Sequence, residues 1–155
     1  MYCDKISPSY IFIFICFFNV KIVIAQDWKY DLEEAKLLAK KTDQNIVLFF
    51  TGSDWCPPCI KLEKNIFADK DFIAFANNNF VWLKVDFPKR RKNKLSAEQQ
   101  KKNEDLANRY NKKWVFPFIL VLDKETKVLG VTGYRRGFDT NSYISLLTSF
   151  NSFNH

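Results

Sequence analysis

Five consecutive apolar residues, Ile46-Val47-Leu48-Phe49-Phe50, run through Thr51-Gly52-Ser53-Asp54-Trp55 into Cys56-Pro57-Pro58-Cys59. An apolar run without alternation predicts a central strand covered on both faces, which is the pattern of an α/β protein and not of a half-solvated antiparallel sheet. The prolines directly after Cys56 predict a helix that begins there, because the first helical turn makes no intrahelical use of its N–H groups. The stretch therefore requires a buried strand that delivers two cysteines to the start of a helix.

That placement has chemical consequences. Cys56 at a helix N-terminus meets unpaired backbone N–H groups and the positive end of the helix dipole, both of which favour a thiolate and hence a nucleophile. Cys59, one turn further in, is more shielded and is placed to resolve a mixed disulfide formed at Cys56. Pro57 and Pro58 remove two donors to the Cys56 sulfur, which leans the couple toward reducing its substrates. A purely structural disulfide closes too small a loop to constrain the unfolded chain much, on the order of 2 kcal/mol or less. A metal site requires about four suitable ligands. Beyond Cys3 and Cys16 near the N-terminus there is no further cysteine, and the one histidine is the last residue, His155, so no metal is expected.

Flanking segments supply the rest of a domain. Asp31 with Glu34 has capping-box spacing ahead of a helix through Leu32, Ala35, Leu38 and Ala39. After the cysteines, Leu62 and Ile66 continue the helical period, and Asp69 can cap a short helix carrying Phe72, Ile73, Phe75 and Ala76. Phe80–Asp86 reads as a second strand, which completes a right-handed βαβ unit with parallel strands. Pro88 closes it and opens a basic run, Lys89, Arg90, Arg91, Lys92 and Lys94, before a polar helix that Ser96 and Gln99 can cap. Such a run is a solvated surface or a docking surface for an acidic partner or lipid headgroups. Nucleic acid is not an expected partner, since the aromatic–basic interleaving used to bind single strands is lacking.

Trp114-Val115-Phe116-Pro117 leads into the strand Phe118–Leu122. A proline is permissible at the start of a strand, and a cis bond there would be a specific feature. A polar turn at 123–126 predicts an antiparallel hairpin to a strand over Lys127–Val131. Gly133–Gly137 reads as a loop, and Asp139 can cap a last helix with Tyr143, Ile144, Leu147 and Phe150 on one face. No phosphate-cradling glycine loop or cofactor motif is present, and no cofactor is expected.

Residues 1–25 read as a secretory signal peptide. The apolar run Ile11–Phe18 is short for a bilayer span, Lys21 follows it, and Val23 and Ala25 offer small residues before a cleavage point at Gln26. The expected organisation is a 1–25 leader and one domain over 26–155, with a periplasmic or secreted location. The alternative is an uncleaved membrane anchor, the one circumstance in which membrane contact is expected. Cleavage would leave Cys56 and Cys59 as the mature cysteines, in a compartment that permits disulfides. The formal charge of +7 favours solubility and some affinity for anionic surfaces.

Strand, Trp-Cys-x-x-Cys on a helix, strand, helix, and Phe-Pro entering a hairpin before a final helix together resemble the thioredoxin family over residues 30–150. Thr51–Cys56, Val85-Asp86-Phe87-Pro88 and Thr132-Gly133-Tyr134 are similar to its exported bacterial thiol–disulfide oxidoreductases. The resemblance implies a central mixed β-sheet flanked by helices on both faces. It implies Cys56 as attacking and Cys59 as resolving cysteine, and a cis Pro117 beside the sulfurs, with Phe116 pairing its backbone with an extended substrate. Trp55, Pro57 and Pro58 complete the expected substrate-contacting set. The implied activity is reduction or interchange of protein disulfides, with an upstream thiol/disulfide partner. A non-catalytic binding module that docks a partner through the basic insertion, 88–103, is the alternative. The segment from Asp86 to Pro117 is longer than in cytosolic thioredoxin, which makes the basic run an insertion beside the expected substrate face, and the chain departs from that family at two further places. Phe50 stands where that family has a buried acid, and Gly52 where it has a tryptophan. Lys84, Asp86 or water is then expected to assist proton transfer at the cysteines.

Overall fold

The computed structural model describes residues 26–151; the leader expected at 1–25 lies outside the described residues, as do the last four positions. Five strands form one mixed sheet in the order β1-β3-β2-β4-β5: β1 (Trp28–Lys29), β2 (Asn45–Thr51), β3 (Phe80–Asp86), β4 (Phe118–Leu122) and β5 (Val128–Gly133). The helices are α1 (Leu32–Thr42), α2 (Pro57–Leu62), α3 (Lys70–Asn79), α4 (Ala97–Tyr110) and α5 (Thr140–Asn151). β2 pairs parallel with β3, Asn45 opposite Phe80 through Thr51 opposite Asp86, and antiparallel with β4, Ile46 opposite Leu122 through Phe50 opposite Phe118.

Because strand side chains alternate, the apolar run of β2 feeds two cores at once. Val47 and Phe49 pack with Leu62, Phe67 and Phe72 and with Tyr143 and Leu147, under α2, α3 and α5. Ile46, Leu48 and Phe50 pack with Ala35 and Ala39 of α1 and Leu106 and Ala107 of α4. Residues 46–50 are all fully buried, and each large side chain contributes about 1.5–3 kcal/mol in apolar burial. This gives the central mixed sheet between two helix layers. Thr51, Asp86 and Phe118 all lie at one end of the sheet, where β2 hands over to the cysteines.

Local caps explain the helix starts. Asp31 accepts from the backbone N–H groups of Glu33 and Glu34, Asp69 from those of Asp71 and Phe72, and Ser96 Oγ from that of Gln99. Asp139 likewise accepts from the backbone N–H of Ser142 at 2.8 Å.

Three details differ from the sequence expectation. β1 was not anticipated; two residues are too few to show a period, and the strand exists because Trp28 docks edge-on to Trp82 with ring centroids 5.4 Å apart. The helix after the cysteines does not stay α-helical through Ile66: Glu63–Phe67 forms a π-helical turn, with the Ala68 N–H reaching Glu63 O at 3.0 Å. The wider turn lets consecutive residues Ile66 and Phe67 both enter the core. The last strand runs on through Gly133, which was expected in a loop. Gly133 pairs with Phe118, and a Cβ there would sit 2.8 Å from the Pro117 carbonyl oxygen, so glycine allows the two backbones to close.

Candidate active site

The chain leaves β2 at Thr51 and turns immediately. The N–H groups of Trp55 and Cys56 return to the Gly52 carbonyl at 3.2 and 3.0 Å, so the turn points Cys56 into the N-cap position of α2. Ser53 fixes this turn to the neighbouring strand: its N–H and hydroxyl donate to the two oxygens of Asp86 at 2.9 and 2.6 Å.

Cys56 and Cys59 are joined as a disulfide, with Cα atoms 5.3 Å apart. Cys56 is 4% exposed and Cys59 0%, so the first sulfur is the outer one. Pro57 is exposed and Pro58 half-buried. Since neither proline has an N–H, the donor that reaches the Cys56 sulfur is the backbone N–H of Cys59, at 3.3 Å.

Trp55 folds back over Gly52. A Cβ at Gly52 would lie 2.4 Å from the Trp55 Cε2, so the indole occupies the space that residue 52 leaves empty. Trp55 Nε1 donates to Phe87 O at 2.7 Å, and its ring meets Phe116 edge-on at 5.5 Å. Phe116 is half-buried, Pro117 buried, and the bond between them is cis. Asp54 holds the basic segment against the same turn, accepting from Lys89 N, Arg90 N and Asn93 Nδ2, each at 2.9 Å. The Lys89 N–H, followed by the Asn93 amide and Arg90, holds the Asp54 carboxyl below the usual carboxylate range.

The two residues expected to assist proton transfer each have defined partners. Both carboxylate oxygens of Asp86 are taken by Ser53. Lys84 pairs with Glu63 at 2.5 Å, their side chains 13% and 25% exposed, and Thr51 Oγ1 donates to the other Glu63 oxygen at 3.1 Å. Glu63 had not been anticipated. It follows Cys59 by one helical turn, its N–H donating to the Cys59 and Ile60 carbonyls. The one signal in the sequence was Lys84, a charge in an otherwise apolar strand that required a partner. Among the described residues no group of three or more histidine, cysteine or acidic side chains could hold a metal ion.

Two sulfurs that close into a disulfide at the start of a helix have the arrangement needed to exchange electron pairs with other thiols and disulfides. The class defined by this site on this sheet is a thiol–disulfide oxidoreductase with the thioredoxin fold. Comparison with known proteins makes the relationship specific. The family model for a thioredoxin-like domain matches residues 32–144, and the chain belongs to the thioredoxin-like family. Disulfide bond reductase DsbH of Chlamydia pneumoniae is 38% identical over 116 residues, 75% of this chain and 68% of that protein. Thioredoxin-related protein DsbJ of the same organism is 32% identical over 73 residues, 47% of this chain and 21% of that protein. The solved structure described as DsbH oxidoreductase superposes with a TM-score of 0.75 at 34% identity, covering 84% of this chain and 87% of that one.

Proposed function

We propose that this protein is an exported reductase or interchange protein for disulfides in other exported proteins, with Cys56 as attacking and Cys59 as resolving cysteine. The observation that carries the reading is the asymmetry of the pair: the outer sulfur sits in the N-cap of α2 and accepts the Cys59 N–H, while the second sulfur is sealed. The Cys56 thiolate attacks one sulfur of a substrate disulfide, forming a mixed disulfide and expelling one substrate thiolate. The Cys59 thiolate then attacks Cys56 Sγ, closing the 56–59 disulfide and expelling the second thiolate. Two electrons pass to the substrate, the two protons that Cys56 and Cys59 release on ionising are balanced by those the expelled thiolates take up, and an upstream dithiol partner must reduce the pair again. Trp55, Pro57, Pro58, Phe116 and Pro117 surround the exchange as substrate contacts.

The leader-like residues 1–25 support export to the periplasm or beyond. A mature protein beginning at Gln26 is expected by mass spectrometry, and retention of the full N-terminus in the membrane fraction would support the anchored alternative. Among the described residues no helix is long and apolar enough to cross a membrane.

A sulfur served by one backbone donor is a modestly stabilised thiolate, so the couple belongs near the reducing end of the thioredoxin fold, about −270 mV. Equilibration in dithiol–disulfide buffers with thiol trapping measures it, and a value near about −120 mV would make the protein an oxidant instead. In parallel, Cys56→Ser should abolish turnover while Cys59→Ser accumulates mixed disulfides. Full reductase activity in Cys56→Ser would overturn the assignment.

A further inference from the structure

The segment after β3 builds a cavity against Trp55, the residue that precedes Cys56. Its volume is about 390 Å³, enclosed by Trp55, Phe87, Trp114 and Phe116, with Lys89 and Lys94 among its lining residues. The aromatic walls brace one another: Phe87 meets Trp114 at 5.1 Å and Phe116 at 5.6 Å, both edge-on. A space of this size accommodates one large side chain of a ligand, and Trp55 joins it directly to Cys56.

Two features bear on what the cavity could take. Trp114 is 44% exposed and its backbone adopts φ 51°, a left-handed conformation unfavourable for a bulky residue. It is kept there by Asn111, 3% exposed, whose side-chain amide both donates to Val115 O and accepts from Val115 N at 2.9 Å. A buried polar clamp thus maintains a strained, solvent-facing tryptophan. The second feature is charge. Lys89 Nζ stands 3.8 Å over the Trp55 ring, and among the described residues neither Lys89 nor Lys94 forms an ion pair with a carboxylate. Asp54, against the same loop, is taken by the Lys89 and Arg90 N–H groups and the Asn93 amide.

We propose that this cavity is a specificity subsite for polypeptide substrates: it takes an aromatic or large aliphatic side chain close to the substrate's disulfide cysteine, with an adjacent carboxylate meeting Lys89 and Lys94. The inference rests on the reading that protein disulfides are the substrates. Apolar walls favour a desolvated side chain, and unpaired ammonium groups favour a neighbouring acid over a base.

The test uses four disulfide peptides with one cysteine pair, carrying Phe or Ala and Asp or Lys beside the first cysteine, and 2-hydroxyethyl disulfide as a small substrate that reaches the sulfurs without the cavity. With the unmodified protein, kcat/KM for the Phe–Asp peptide should exceed that for the Ala–Lys peptide by about tenfold or more. Trp114→Ala should remove the preference for Phe, and Lys89→Glu with Lys94→Glu the preference for Asp, each read relative to the rate with the small disulfide. The Asp preference should also shrink as ionic strength rises. Equal kcat/KM for all four peptides, with the small disulfide still reduced, overturns the subsite and leaves the redox function standing. Failure to reduce peptides and small disulfide alike overturns the redox function beneath it. Charge-dependent binding to phosphatidylglycerol vesicles without any peptide preference would assign the lysines to a lipid surface and overturn the subsite as well.

Discussion

Replacing Gly52 by alanine tests whether the missing side chain at that position exists to seat Trp55. The backbone at Gly52 lies outside the glycine-favouring region, so alanine meets no conformational barrier there and the perturbation is steric. Its Cβ would lie 2.4, 2.6 and 2.7 Å from three atoms of the Trp55 indole, all well inside the 3.4 Å at which ordinary contact begins. If the indole stays, the overpacking costs about 1–3 kcal/mol. If it swings out, it gives up the 2.7 Å bond to Phe87 O, about 1 kcal/mol, and the Lys89 contact, about 0.5–1 kcal/mol. Either route comes to about 2 kcal/mol, or roughly 6–10 °C in Tm for a domain of this size. Urea unfolding with an unchanged m-value reads the stability change, and the Trp55 indole N–H resonance reports whether its hydrogen bond survives. In a Trp55→Ala background the same Gly52→Ala change should cost less than about 0.5 kcal/mol, because the clashing atoms are gone. An equal penalty in both backgrounds would refute the seating role, as would a Gly52→Ala protein with unaltered stability and an unmoved indole signal.

Lys84→Met strands the Glu63 carboxylate with Thr51 as its partner and should destabilise the fold by about 2–3 kcal/mol, below the fully buried range because both side chains keep some solvent; pairing it with Glu63→Gln should restore much of that loss, and a change under about 0.5 kcal/mol in the single variant would count against the pair. Tyr143→Phe removes an oxygen that accepts from Arg135 N at 2.8 Å and donates to Gly133 O at 3.1 Å at a site 1% exposed. Its expected cost is about 1–3 kcal/mol, with faster hydrogen exchange at the Arg135 amide; unchanged exchange there would argue that water replaces the hydroxyl. Asp54 has a folded pKa depressed below its ordinary value, 3.8. Its tether of the basic loop is therefore complete above that value and is lost as pH falls through the lower folded one. The amide shifts of Lys89 and Arg90 should follow a single titration with a midpoint below 3.8, and a midpoint above it would contradict the assigned hydrogen bonds.

What the sequence discloses about this protein depends on how local each feature is. The β2 run, the helix start at the prolines after Cys56, and the caps at Asp31, Asp69, Ser96 and Asp139 depend on neighbours a few positions away, and these elements form as expected. The two-residue β1 exists through a tertiary contact with Trp82, and the π turn exists because Ile66 and Phe67 both belong in the core; neither requirement shows in a periodicity. Glu63 is the instructive case. On a helix four residues after Cys59 it looks like an ordinary solvent-facing acid, and only the β2–β3 register places Lys84 and Thr51 against it. Asp86, which the sequence offers as a proton-transfer group, turns out to hold Ser53, a contact set by strand register as well. The basic run shows as charge in the sequence, but its cavity requires Trp114 and Phe116, which a whole helix separates from Lys89.

The departure at Phe50 acquires a physical meaning from the two-faced sheet. Phe50 packs on the α1/α4 side, 6.3 Å from Phe118, and that side contains apolar residues that give a carboxylate no partner. Thr51, next along the strand, reaches the opposite face and there binds Glu63, the acid that α2's own continuation supplies. A carboxylate carried on the cysteine helix keeps its relation to Cys59 through one helical turn, whatever happens at the strand, and Lys84 fixes it from β3. The proposed recognition elements are attached differently, through Asp54, Trp55 and the Asn111 clamp to the insertion and the 114–116 loop. The two sets meet in one backbone hydrogen bond, from Phe87 N–H to Thr51 O at 3.0 Å, and among the described residues no side-chain hydrogen bond or ion pair links Glu63 or Lys84 to the cavity residues. Substitutions in the Glu63–Lys84 group and in the Trp114 cavity should therefore combine additively in stability, as separate networks do. The cysteine helix could then keep one reactivity while the insertion altered which polypeptides reach it.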